Sequence, residues 1–117
     1  MQLIAISSEG PTSDDMVDPR FGRAGGFVLA DIEGNILKYI DNGASQMRSQ
    51  GAGIETAERI ANEGVTVVLS GYIGPKAFQA VQIAGIKVCQ NVDGMTIGKA
   101  LEKYRTGQLP LAQSPNK

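Results

Sequence analysis

Short apolar runs alternate along the chain with stretches whose apolar residues recur at helical spacing, and glycines separate the two. The clearest case is residues 65–89, which read VTVVLSGYIGPKAFQAVQIAGIKVC. The run Val65–Leu69 is typical of a strand buried on both faces of a parallel sheet. Pro75 suits the first position of a helix that ends at Gly85. With the second apolar run, Ile86–Cys89, the pattern predicts a strand, a helix and a strand joined by a right-handed crossover.

The same patterns divide the rest of the chain into further strands and helices. Helices are predicted from about Gly53 to Glu63 and, after a Thr96 cap, up to Gly107. Residues 108–117 read QLPLAQSPNK and are expected to form an irregular tail outside a single domain of residues 1–107. The remaining strands are predicted at Gln2–Ser7, Phe27–Ile32 and Ile36–Ile40.

The predicted element order, β-β-β-α-β-α-β-α, gives an α/β fold with a mixed five-stranded sheet and helices on both faces. The second strand runs against the others because a short hairpin turn follows it. Helices that start near Gly53, Pro75 and Ile97 should then direct their first N–H groups and partial positive charge towards one edge of the sheet. That arrangement favours an anionic ligand. The loops expected at the same edge are residues 8–26, 41–50, 71–74 and 90–95.

Composition and charge exclude several classes of protein. The net charge of −1 lacks the basic excess of a nucleic-acid-binding domain, so no nucleic-acid partner is expected. No apolar run approaches the ~20 residues of a membrane helix. The single cysteine and the absence of a secretory leader pattern at the start of the sequence favour a cytoplasmic protein. The chain has no histidine, which excludes imidazole-based hydrolysis and the common zinc sites.

Three segments carry a resemblance to a known family. They are DPRFGRAGGF (residues 18–27), GAGIETAERIANEGVTVVLSGYIGPKAFQAVQIAGIKV (residues 51–88) and, more weakly, GMTIGKALEKY (residues 94–104). Together they resemble the nitrogenase iron-molybdenum-cofactor biosynthesis domain, the family of NifX and the C-terminal part of NifB. The opening ISSEGPTSDDMVDPRFGRAGGF and the closing SPNK are similar to the orange proteins of sulfate-reducing bacteria, a branch of that family.

The resemblance implies a ribonuclease H-like fold and a role in binding or carrying a metal-sulfur cluster. For the orange proteins it implies a molybdenum-copper-sulfide cluster, or a related molybdenum or iron-sulfur cluster, held without thiolate attachment, and MinD-type ATPases as partners. Many relatives have a histidine before the FGR block and a cysteine after it, where this chain has Arg20 and Ala24. Those two positions therefore cannot supply metal ligands here. We expect a monomer or a weak dimer.

The candidate binding residues offer positive charge, backbone N–H groups and glycines that permit close approach. Arg20 and Arg23 can fork onto anionic sulfides, or else pair with loop carboxylates. Lys76 adds charge at a helix start. The glycines around the helix starts either admit a ligand or only make tight connections. The full predicted set is Arg20, Phe21, Gly22, Arg23, Gly51, Ala52, Gly53, Gly71, Tyr72, Ile73, Gly74 and Lys76.

Other candidate residues have simpler explanations. Cys89 is the only thiol and is soft enough for copper(I), but a cysteine at the end of an interior strand is more typical of packing. No direct protein ligand to a metal is therefore expected. The first strand, QLIAIS, lacks the acidic residue that ribonuclease H chemistry would need, so no catalytic residue is predicted. The thioethers and loop carboxylates are expected to be packing or solvated residues, namely Met16, Met47, Met95, Asp14, Asp15 and Asp18.

The sequence thus favours a non-enzymatic carrier of an anionic metal-sulfur cluster, held where residues 8–26, 51–54 and 71–76 converge. The alternative is an interaction module that regulates a MinD-type ATPase without a bound cluster. A binder of nucleotides or phosphate esters is a third hypothesis, weakened by the absence of a P-loop pattern. The carrier hypothesis requires Arg23 and Tyr72 to lie on the same rim.

Overall fold

The computed structural model describes residues 2–47 and 50–117 and has the predicted mixed sheet. Its strands are β1 (Ile4–Ser8), β2 (Gly26–Ala30), β3 (Ile36–Asp41), β4 (Val67–Leu69) and β5 (Lys87–Cys89). They lie side by side in the order β3-β2-β1-β4-β5. β2 is antiparallel to both of its neighbours, whereas β4 is parallel to β1 and to β5. The α/β fold expected from the sequence is therefore confirmed.

The helices of the described residues are α1 (Gly43–Gln46), α2 (Ala52–Asn62), α3 (Pro75–Ile83) and α4 (Ile97–Arg105). Thr96 caps α4 as predicted, because its side chain accepts the Lys99 N–H at 3.2 Å. α1 lies in a segment expected to be a loop, since a single turn is too short for a hydrophobic period to reveal. Within the described chain, none of these helices has the length and apolar character needed to cross a membrane.

β2 ends before, and β4 begins after, the residue predicted for it. β2 ends at Ala30 because Asp31 begins the hairpin turn, where its carboxylate accepts the Asn35 N–H at 2.9 Å. β4 begins at Val67 rather than at Val65. Just before it, the Thr66 hydroxyl accepts the Leu3 N–H at 3.3 Å, while the Thr66 N–H donates to the Leu3 carbonyl at 2.9 Å.

Each face of the sheet has its own hydrophobic cluster. Successive residues of a strand point to opposite faces. Ala5 therefore joins the cluster beneath α2 and α3, whereas Ile4 and Ile6 join the cluster beneath α4. We refer to these two sides as the α2/α3 face and the α4 face.

The crossovers decide which helices share a face. Both right-handed crossovers carry the chain in the same direction across the sheet, so α2 and α3 lie side by side. α4 follows the edge strand β5 and covers the other face, where its first N–H groups are occupied. Ile97 donates to the Asp15 carbonyl at 2.8 Å, and Gly98 donates to the Ser13 carbonyl at 2.9 Å. The expectation that this third helix start would join the other two at one site is therefore wrong.

Residues 9–25 connect β1 to β2 and are anchored on both faces of the sheet. Val17 packs into the α4 face, whereas Phe21 and Ala24 pack into the α2/α3 face. Between these anchors, Arg20 forms an isolated bridge with Tyr72 in the turn after β4. The loop is thereby brought alongside the starts of α2 and α3.

Candidate functional site

A cavity of about 580 Å³ lies where the loop after β1 meets the starts of α2 and α3. Arg23 and Tyr72, which the carrier hypothesis required on one rim, both line it. The predicted residues that line this cavity are Arg20, Phe21, Gly22, Arg23, Gly51, Ala52, Gly53, Tyr72, Gly74 and Lys76. Residues outside the predicted set that also line it are Ile54, Pro75, Ala77 and Lys117.

Two predicted residues do not line the cavity but support its wall. The Ile73 side chain is buried in the cluster of the α2/α3 face. A Cβ at Gly71 would lie 2.5 Å from the Pro19 carbonyl oxygen, so this glycine lets the turn approach the loop. The contact is secured by the Tyr72 N–H, which donates to the same carbonyl at 2.8 Å. Successive side chains of an extended segment point to opposite sides, so the Tyr72 side chain lines the cavity whereas the Ile73 side chain points into the core.

The Arg20 guanidinium is held by the Asp18 carboxylate. Its Nε lies 3.1 Å from Asp18 Oδ1, and its Nη2 lies 3.2 Å from Oδ2. The Arg20 and Gly25 N–H groups donate to the same carboxylate at 3.0 and 3.2 Å. Asp18 is only 2% exposed, so the expectation that it would be solvated is wrong. Arg20 thus pairs with a loop carboxylate and still lines the cavity. The hydrogen bonds that its guanidinium donates to Asp18 raise the pKa of that group.

The other cations reach the cavity from separate parts of the chain. Arg23 Nη1 donates to the Gln46 carbonyl at 3.3 Å, which ties the loop to α1. Lys76 lies in the first turn of α3 and is exposed. The Lys117 ammonium lies 4.2 Å from the centroid of the Tyr72 ring, a cation–π distance. Because the first turns of α2 and α3 also line the cavity, their positive helix ends add to this field.

The cavity wall depends on close approach between three backbone segments. A Cβ at Gly22 would lie 2.7 Å from the backbone nitrogen and Cα of Gly53. A Cβ at Gly53 would in turn lie 2.7 Å from the Ala77 Cβ. The loop and α2 are therefore in direct backbone contact, and only the Ala77 methyl group lies between α2 and α3. These tight connections form the wall of the cavity.

A buried polar group behind the wall holds the loop in place, and the sequence analysis did not predict it. Asn42 Nδ2 donates to the carbonyls of Gly22 and Ala24 at 3.2 and 3.1 Å. Thr56 Oγ1 also donates to the Gly22 carbonyl, at 2.9 Å. Arg59 donates to Asn42 Oδ1 and completes the arrangement. The only sequence signal was a threonine on the otherwise apolar face of α2.

The sulfur atoms lie apart from this arrangement. Cys89 is fully buried in the cluster of the α4 face, whereas the cavity belongs to the α2/α3 side. Burial raises the pKa of its thiol to about 11. Met16 and Met47 are exposed at 40% and 84%, and Met95 packs against the α4 cluster. Among the described residues, no three histidine, cysteine or acidic side chains are grouped closely enough to hold a metal ion.

Comparison with known proteins places this geometry in a family. The family described as dinitrogenase iron-molybdenum cofactor matches residues 1–107. The chain belongs to that family. The protein MJ0580 of Methanocaldococcus jannaschii is 30% identical over 102 residues, which are 85% of each chain.

Two solved structures are similar over nearly the whole chain. The apo form of the orange protein from Desulfovibrio gigas is 53% identical, with a TM-score of 0.96, and the match covers 100% of this chain and 98% of the other. The NMR structure of a putative NifB protein from Thermotoga is 29% identical, with a TM-score of 0.81, and the match covers 95% and 93%. The resemblance to the cofactor family and to the orange proteins is confirmed.

Gly53→Ala is expected to lower the free energy of unfolding by roughly 1–3 kcal/mol, because the added methyl group would overlap the Ala77 Cβ. Gly74→Ala is the matched control, since a Cβ there meets nothing within 4 Å, and its cost should stay below about 1 kcal/mol. Urea denaturation followed by circular dichroism measures both values. Equal losses in the two variants would contradict the close approach described above.

The buried thiol predicts a fall in stability at alkaline pH. The pKa of Cys89 rises from 9.0 to about 11 on folding, so the unfolded chain loses this proton first. The contribution to stability is complete below about pH 9 and is lost as the pH rises to about 11. Chemical denaturation across this range should therefore show a steeper decline in wild type than in Cys89→Ala. Identical pH profiles would show that the thiol is not desolvated. The pKa of Tyr104 is raised by burial and also by the charge of Cys89, so the difference between wild type and Cys89→Ala includes a contribution from Tyr104.

Proposed function

We propose that this protein is a non-enzymatic carrier of an anionic metal-sulfur cluster, of the molybdenum-copper-sulfide type or a related molybdenum or iron-sulfur type. The observation that carries the proposal is the convergence on one cavity of Arg20, Arg23, Lys76 and Lys117 with the starts of α2 and α3. Cluster and protein are held together by charge and hydrogen bonds, without covalent attachment. The cluster is thus the ligand that the protein carries, and we refer to it as the cargo.

The electrostatics of the cavity favour a multiply charged anion. Three of its cations come from residues far apart in the sequence, namely Arg23, Lys76 and Lys117, so folding concentrates charge that the sequence disperses. Arg20 adds N–H donors in a fixed orientation because Asp18 already holds its guanidinium. A donor that is oriented before binding loses little side-chain entropy when the anion arrives. Arginine also matches anions with several acceptor atoms better than lysine does.

The donor set favours a cluster whose metals are already saturated by sulfide. The single thiol is buried on the opposite face, and its raised pKa keeps it protonated at neutral pH. The residues that line the cavity are arginines, lysines, one tyrosine, glycines, one proline and apolar side chains. Such a lining suits the outer sulfides of an intact cluster, through N–H groups and apolar contact, rather than a bare metal ion. It also lacks the paired carboxylates or activated nucleophile of a hydrolytic site, which supports a carrier over an enzyme.

The comparisons support a metal-sulfur cargo in general terms. The family is named for the iron-molybdenum cofactor of dinitrogenase. The similar orange protein was solved in its apo form, a word used for a protein without its cofactor. The choice of molybdenum-copper sulfide follows from the resemblance to the orange proteins and is the finer part of the proposal.

Reconstitution tests the proposal directly. The purified protein is incubated with tetrathiomolybdate and copper(I) without oxygen, desalted, and examined by visible absorption and metal analysis. We expect charge-transfer absorption and both metals to elute with the protein. Loss of all colour and metal on desalting would overturn the carrier function. If a MinD-type ATPase were then captured equally well by the protein with and without metal, regulation of the ATPase would replace the carrier function as the proposal.

Charge-neutralising variants locate the binding site. Arg23→Gln combined with Lys76→Gln is expected to weaken retention of the tetrathiomolybdate-copper probe by roughly tenfold, since each charge contributes about 0.5–1 kcal/mol at a partly exposed site. Lys99→Gln combined with Lys103→Gln removes the same charge from α4, on the other face, and should leave retention unchanged. Cys89→Ser should also retain the probe. Equal weakening in both double variants would indicate a net-charge effect, and loss in Cys89→Ser would indicate thiolate ligation.

A further inference from the structure

The C-terminal residues 108–117 contain no helix or strand, yet they are fixed along the edge of the sheet. The Ala112 N–H donates to the Val88 carbonyl of β5 at 2.7 Å. Two residues further on, the Gln90 side chain donates to the Ser114 carbonyl at 2.9 Å and accepts the Asn116 N–H at 3.0 Å. These contacts lead the segment from β5 towards the turn that follows β4.

Asn116 holds that turn through its side-chain amide. Its Oδ1 accepts the Ile73 N–H at 3.0 Å, and its Nδ2 donates to the Gly71 carbonyl at 3.0 Å. The two hydrogen bonds bracket Tyr72, whose own N–H donates to Pro19. Nδ2 also donates to Asn91 Oδ1 at 3.1 Å, which ties the turn to the loop after β5. The backbone on both sides of Tyr72 is therefore fixed by one side chain from the end of the chain.

The next residue reaches the cavity itself. Lys117 lines the cavity, and its ammonium lies 4.2 Å from the centroid of the Tyr72 ring. Tyr72 is thus held from two directions, through its backbone by Asn116 and through its ring by Lys117. An anion in the cavity would meet an ammonium that the aromatic face already orients.

We propose that residues 114–117 are part of the cargo site, with Lys117 as a binding cation for an anionic sulfide cluster and Asn116 as a positioning residue for Tyr72. This inference rests on the proposed carrier function and extends its site beyond the predicted domain. The family match ends at residue 107, so these contacts come from a segment outside it. The match to the orange protein, by contrast, includes this segment, because it covers the whole chain. A site completed by this segment is therefore a feature that can distinguish members of the family.

Hydrogen exchange tests the positioning role without any cargo. In Asn116→Ala the Ile73 N–H loses its acceptor, and its exchange rate in the cargo-free protein should rise by roughly tenfold. Gln113→Ala, an exposed change in the same segment, should leave that rate unchanged. Unaltered Ile73 exchange in Asn116→Ala would overturn the positioning role.

Cargo binding tests the role of Lys117. With tetrathiomolybdate and copper(I) as the probe, Lys117→Gln and Asn116→Ala should each raise the apparent Kd by roughly three- to tenfold. Lys103→Gln, which removes the same charge on α4, should not change it. Wild-type affinity in both variants would overturn the inference while leaving the carrier function in place. Failure of the wild-type protein to bind the probe would overturn the carrier function, and the exchange of Ile73 would still decide the role of Asn116.

Discussion

The site depends on a steric constraint, the close packing of the loop after β1 against α2 and of α2 against the Ala77 methyl group of α3. Gly22 lies against Gly53, and Gly53 lies against Ala77, so the loop after β1 and the starts of α2 and α3 share one wall. Any larger side chain would move two helix N-termini and the arginine-bearing loop apart at the same time. The glycines therefore position the charges indirectly, and the buried Asn42 group secures the loop from behind. The same contacts therefore maintain both the fold and the shape of the site.

A second constraint is the burial of the Asp18 carboxylate. Burying a charge is costly unless donors surround it, and here the Arg20 guanidinium and two backbone N–H groups do so. The consequence for the site is that Arg20 contributes oriented donors but little net charge. Attraction of an anion then falls to the other cations that line the cavity, among them Lys76 and Lys117. Orientation and attraction of an anion are thus assigned to different residues.

The succession of the elements and the relative directions of the strands could be predicted from the sequence because apolar runs, turn glycines and right-handed crossovers leave few alternatives. The side-by-side order of the strands in the sheet came from the structure. Most of the cavity followed from that layout, since it places both helix starts and the long loop at one edge. The start of α4 was misplaced because sequence order does not say which face a final helix covers. Asp18 was misjudged because burial of a carboxylate depends on partners that only the folded loop supplies. The segment 108–117 has no periodic pattern, so its role could not be predicted.

The residues that line the cavity differ in how freely they can be substituted within this family. Gly22, Gly53 and Ala77 are fixed by contact, and changing them strains the fold itself. Lys76 is exposed, Gly74 has open space around it, and Lys117 extends from a segment without regular structure. Substitutions at these three positions change the charge and shape of the cavity while costing little stability. Differences in ligand preference between relatives of the same fold are therefore expected at positions such as Gly74, Lys76 and Lys117, which are not part of the buried core.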